Sequence, residues 1–226
     1  MKSASQIFTK EEITNIETTI AEVEKQTSGE VVPVIATSSG RYDRAEDLFG
    51  FLLSLVVLGI SWMWFQDINT SINTWTHNSV FNLNLFTMIT ILIISFFIGM
   101  GLASHFPLLR LPLISTQEMQ EEVEGSARET FQRLKIRNTN NAAGILIYVS
   151  LYEHRVHIIG DDTISAKLSQ SDWQAVCDTI ISGFKNNTPA QGLHDGILTC
   201  GELLSLHFPI TPDDKNELAN TLHFID

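Results

Sequence analysis

Three carboxylates, Asp161, Asp162 and Asp172, fall close together where a short polar loop leads into a helix start. Hard oxygen ligands at this density suit Ca2+ or Mg2+, and loops at the strand ends of an α/β sheet are where ligands usually bind. The same spacing also describes a solvated loop with a helix cap, so both readings stand. A second group, His154, Arg155 and His157, could hold a phosphate or a carboxylate. In a strand Arg155 and His157 share one face and Val156 and Ile158 the other, which equally suits the solvent side of a hairpin. Glu30 is a further candidate acid, or a cap for the turn before it. Cys177 and Cys200 sit on apolar helix-like segments with no CxxC and no Cys/His zinc spacing, so they read as small packing residues. The sequence holds no GxGxxG after a strand, no Walker loop, no GxSxG and no HExxH, which excludes the common nucleotide-binding and hydrolase solutions.

The elements that must position these groups follow from periodicity. Thr9 and Glu12 frame a capping box, and Ile13, Ile16, Ile20 and Val23 continue a helical stripe over about 10–26. Gly29 ends it. Glu30–Ala36 then reads as a strand, and Pro33, lacking a ladder donor, predicts an edge or a bulge there. After residue 110, Ser115 and Glu118 suggest another capping box, with Met119, Val123, Ala127, Phe131 and Leu134 on one face. Asn138–Asn141 reads as a turn, Gly144–Leu151 as a central strand, Arg155–Gly160 as its hairpin partner and 161–170 as a polar loop. A helix beginning at Ser169 or Asp172 carries Trp173, Val176, Cys177, Ile180, Ile181 and Phe184. The last helix starts at Thr188-Pro189, with Leu193, Ile197, Cys200 and Leu204 inward, and 210–226 reads as a C-terminal tail.

Two uncharged runs divide this pattern. Leu48–Phe65 and Leu85–Ala103 hold 18 and 19 residues. At the helical rise each spans roughly 27–29 Å, the thickness of a bilayer's hydrocarbon core. The expectation is a transmembrane hairpin, helices 48–65 and 85–105, with an external linker 66–84. One helix and one strand before the hairpin cannot bury a core, so residues 5–40 must complete a discontinuous domain with 115–209. Arg41 and Arg44 before the first run and Arg110 after the second, against no Lys or Arg in 66–84, place both termini and that domain in the cytoplasm. Trp62, Trp64 and Trp75 suit an outer interfacial belt, and Asn69-Thr70-Ser71 is a short sequon match. Ser95, Gly99 and Ala103, with Gly50 and Ser54 as a partner stripe, permit close helix contact within the hairpin or between copies. With net charge −12 and no Lys/Arg cluster, nucleic acid is excluded as a partner, and the dry spans make a poor transporter.

Thr27-Ser28-Gly29-Glu30-Val31-Val32-Pro33-Val34, Gly144–Ser150 leading into Glu153-His154-Arg155-Val156, Trp173, Gly192-Leu193, His207-Phe208-Pro209 and Asn216-Glu217-Leu218 together resemble the TPM-domain family. That family is named for thylakoid-lumen, photosystem-repair and receptor-modulator proteins. The likeness is to its bacterial membrane subgroup, in which a hairpin interrupts the domain after the first strand. The resemblance implies an α/β fold: a Rossmann-like helix–sheet–helix sandwich around a small mixed sheet, interrupted by a two-helix transmembrane hairpin in the bacterial inner membrane. It also implies a role in membrane-protein maintenance, with calcium binding and acid-phosphatase activity in some lumenal members. Gly160-Asp161-Asp162-Thr163 stands where many members carry a more Gly-rich loop. Two functions remain open: a non-enzymatic module that binds other membrane proteins or itself, and a Ca2+- or Mg2+-dependent phosphatase using Asp161, Asp162 and Asp172.

Overall fold

A computed structural model describes residues 3–70, 84–138, 143–210 and 217–226. The chain divides into two compact units, 1–40 with 117–226, and 41–116.

The first unit is a four-stranded mixed sheet with helices on both faces. Helix α1, Lys10–Glu24, starts on the capping box the sequence predicts: Glu12 N–H donates to Thr9 Oγ1 (3.3 Å) and Thr9 N–H to Glu12 Oε2 (2.7 Å). Two of the four orphan donors of the first turn are thereby satisfied. Strand β1, Glu30–Ala36, pairs in parallel with β2, Gly144–Ser150, residue for residue from Glu30↔Gly144 to Ala36↔Ser150. Segments separated by more than a hundred residues thus share one ladder, as the core argument requires. Strand β3, Arg155–Gly160, returns antiparallel to β2, and β4, His223–Ile225, pairs in parallel with β1, giving the order β3-β2-β1-β4.

Two expectations fail here for a reason the ladder supplies. Glu30 N–H donates to Ala143 O and Thr37 N–H to Ile225 O, so odd-numbered positions of β1 face β4. Pro33 therefore turns its missing donor toward β4, whose pairing begins only at Val34↔His223. The strand is central where it needs its amides and open where it lacks one. The segment read as a tail contributes the strand that closes this side, tied down further by Asp226, which accepts from Ser5 N–H (3.1 Å) and Ser5 Oγ (2.6 Å).

One face of the sheet carries α1 with α6, Gln174–Lys185, and α7, Pro189–His207; they bury Ile16, Ile20, Val176, Ile180, Leu193 and Ile197 against Ile35, Ile145 and Ile147. The other face carries α4, Thr116–Arg133, whose Val123, Ala127 and Phe131 cover Val32, Val34, Leu146 and Tyr148. Helices α6 and α7 cross closely: a Cβ on Gly183 would lie 2.3 Å from Gly192 Cα. Residues 161–170, expected as loop, contain the one-turn helix α5, Asp162–Ser165, whose Ile164 is fully buried. The helix expected to start at Ser169 or Asp172 begins at Gln174, the earlier residues forming a turn. Thr188 does not cap α7 with its hydroxyl, which donates to Gly183 O instead (3.4 Å).

The second unit is a helical pair, α2, Asp43–Thr70, and α3, Leu85–His105. Both are long and apolar enough to cross a membrane, over Asp43–Phe65 and Leu85–His105. Their contact is made by the small residues: a Cβ on Gly99 would lie 2.8 Å from Gly50 Cα, and Ser54 and Ser95 are buried. Each serine hydroxyl donates to its own helix, to Phe51 O (2.7 Å) and Ile91 O (2.6 Å), so neither is left unpaired in the seam. Near the base, Arg110 pairs with Glu46, donates to Arg41 O (3.1 Å) and lies over the Tyr42 ring. Most of the expected linker, residues 71–83, with Ser71 of the sequon and Trp75, lies outside the described residues, as do 139–141 of the expected turn.

Candidate functional site

Side chains with chemical potential gather at the carboxyl ends of β1 and β2. There the loop Ser38-Ser39-Gly40 leaves β1, and the turn 151–154 leaves β2. Glu153, 5% exposed, points into that loop. One carboxylate oxygen accepts from Ser39 N–H (2.9 Å), Gly40 N–H (3.2 Å) and the Ser38 hydroxyl (3.2 Å), and the other accepts from the Ser150 hydroxyl. Ser39 Oγ donates to Ser150 Oγ (2.9 Å) and lies 3.2 Å from the Tyr148 hydroxyl, while Ser126 Oγ from α4 donates to Ser39 O (2.9 Å). Burial raises the Tyr148 hydroxyl above its ordinary pKa. Backbone amides and hydroxyls thus converge on a buried carboxylate as a charge-assisted clamp. With both oxygens engaged, Glu153 fixes two loops in place rather than presenting a free base. In the sequence Glu153 stands out as the turn after Gly144–Leu151 and as part of the family-like segment Glu153-His154-Arg155-Val156, with no chemical role attached. The signal available was an acid between apolar strands, opposite a serine pair after β1.

The three predicted metal ligands do not converge. Asp161 is buried and caps α5 by accepting from Asp162 N–H, while its Oδ2 is buried without a hydrogen-bond partner. Asp162 is exposed and pairs with Arg137. Asp172 is exposed too, and its carboxylate accepts from Ser169 Oγ and Ser169 N–H, each at 2.7 Å, which holds its pKa below the usual carboxylate range. Among the described residues no three His, Cys, Asp or Glu side chains group as a metal site would require. Cap, ion pair and turn account for the three carboxylates, so the donor set does not fit a calcium cage.

His157 and its neighbours Val156 and Ile158 divide as the strand alternation predicts. His157, opposite Tyr148 in the ladder, faces Glu124 and Arg128, and burial lowers its pKa. Val156 and Ile158 join the core on the other face. His154 is exposed at the hairpin turn with φ 51°. Glu30 does not cap a turn before β1. It is buried, accepts Glu217 N–H (3.0 Å) and faces Glu24, whose own carboxylate accepts Val31 N–H (3.1 Å). Burial, with Glu30 beside it, pushes the Glu24 carboxyl up to about 8. Cys177 and Cys200 are free and buried, and burial raises their thiols to about 11 and about 12, which leaves little of the reactive thiolate.

The fold is similar to that of a solved structure. The BA42 protein from the psychrophilic bacterium Bizionia argentinensis, solved by NMR, is similar over 99% of this chain and 99% of its own, with 23% identity and a TM-score of 0.58. At that identity the likeness is one of fold. The comparison with curated proteins gives no match. The family model described as the TPM domain matches residues 112–203, which run from the approach to α4 through β2, β3 and α6 into α7. Over those residues the chain is similar to the TPM domain.

Proposed function

We propose that this chain is a membrane-anchored TPM-domain protein, held by α2 and α3 as a two-span hairpin, whose α/β unit binds other membrane proteins during their assembly or maintenance. The observation that carries the reading is the outer surface of the hairpin. Val56, Ile60, Met63, Ile94, Phe97 and Ile98 are each more than half exposed, and only 11% of each apolar window is buried. Water does not tolerate a patch of this size on a soluble monomer, whereas hydrocarbon covers it without penalty. Arg41, Arg44 and Arg110 support termini on the cytoplasmic side of a bacterial inner membrane. The engaged state of Glu153, Asp162 and Asp172 supports binding over catalysis.

One feature favours the competing reading, a Ca2+- or Mg2+-dependent phosphatase: the unpartnered Oδ2 of buried Asp161. The test is made on the full chain. Alkaline carbonate should leave the protein in the membrane pellet, and photocrosslinkers on the exposed faces of the α/β unit should trap defined membrane proteins that bind again when purified. Release by carbonate would overturn the anchoring. Metal-dependent phosphate release abolished by Asp161→Ala and Asp162→Ala would replace the binding module with the enzyme.

A further inference from the structure

A cleft of about 570 Å³ opens between the carboxyl end of β2, the start of β3, the end of α6 and the segment before α1. Its floor and walls are Ile7, Val149, Leu151, Val156, Ile181 and Phe184. All but Val149 remain only partly buried although they pack against the main core. The volume lies within the range of ordinary ligand sites, and the lining is mostly apolar with a few polar groups, as such sites are. The ionisable groups around it are His154, Arg155 and Lys185. All are basic, on a chain that carries 26 acidic against 14 Lys and Arg residues. The acid nearest in sequence, Glu153, is turned away into the Ser38–Gly40 loop.

These two properties specify an occupant together. A small soluble anion has no use for six apolar side chains, and a neutral apolar ligand has none for a cationic rim. Lys185 lies in the last turn of α6, and His154 and Arg155 come from the β2–β3 turn, so the bases approach the cleft from two elements. We propose that this cleft binds an anionic single-chain amphiphile, with the acyl chain on Leu151, Ile181 and Phe184 and the carboxylate or phosphate head at Arg155 and Lys185. The cleft meets the Glu153 clamp at Ser150, and it stands or falls independently of the binding-module reading.

The experiment uses the full chain in zwitterionic lipid nanodiscs with a photoactivatable sixteen-carbon fatty acid, the labelled positions being mapped by mass spectrometry. Parallel arms use the monoacyl phosphate and the neutral alcohol of the same chain length. Label is expected on peptides containing Leu151 and Phe184, displaced by unlabelled fatty acid and at least ten-fold weaker with the alcohol. The phosphate arm decides which head the rim prefers. Lys185→Gln, at an exposed position, and Arg155→Gln should each reduce acid labelling several-fold and leave alcohol labelling unchanged, with melting temperature as the check on folding. Labelling confined to the two apolar helices, or equal labelling by acid and alcohol that ignores both substitutions, overturns the proposal.

Discussion

The Glu24–Glu30 carboxyl pair makes stability fall as pH rises, and Glu24→Gln should weaken that dependence. The two side chains flank the α1–β1 connection, and Glu30 accepts the Glu217 amide while Glu24 accepts the Val31 amide. Burial is the main cause that lifts each pKa, and Glu217 adds like charge beside Glu30. The ordinary glutamate value is 4.5 and Glu24 in the fold titrates at about 8. Between those values the folded chain holds a proton that the unfolded chain has released, so unfolding is favoured increasingly as pH rises through the window. The limiting slope is about 1.4 kcal/mol per pH unit. Glu24 is only partly buried, and solvent screening reduces the total to on the order of 2 kcal/mol. The stabilisation is complete below pH 4.5 and lost above about 8. Hydrogen exchange of the Leu146 and Ile147 amides, corrected for intrinsic rates, reads the loss directly in the central strand. Glu24→Gln keeps an acceptor for Val31 and supplies a permanent donor toward Glu30. Its profile should be flatter from pH 5 to 9. A wild-type profile already flat across this window, or an unchanged slope in the variant, would refute the reasoning.

Glu153→Ala should unfold the unit at lower temperature by removing about 2–4 kcal/mol, since the Ser39 and Gly40 amides lose their shared acceptor in a buried site; calorimetry on the full chain measures it. Gly99→Val should force the helical pair apart, because its Cβ would meet Gly50 Cα at 2.8 Å, whereas Gly101→Val, with open space, should leave the spacing between spin labels on α2 and α3 unchanged. Asp162→Asn should change stability by less than about 1 kcal/mol in denaturant titrations, its pair with Arg137 being exposed on both sides.

Local chemistry was legible where it depends on neighbours in the chain. The capping box at Thr9 and Glu12, the strand Glu30–Ala36 and the stripe Leu193, Ile197, Cys200 and Leu204 follow from periodicity and side-chain reach within one or two turns. Even the reunion of β1 with β2 could be argued from the sequence, because a lone helix and strand have no core of their own. What depends on long-range pairing was not legible. Pro33 marked a missing donor but not the side on which it would be harmless, which β4 decides from the far end of the chain. Three clustered carboxylates left a metal site and a solvated loop with a helix cap both open, and in space they form a cap, an ion pair and a turn. Glu153, legible as a turn and as part of a family-like segment, gained its buried contacts only when the loop after β1 folded over it. Sequence alone determined the periods and the Thr9 capping box because those interactions close within a few residues; the site belongs to contacts that close across more than a hundred.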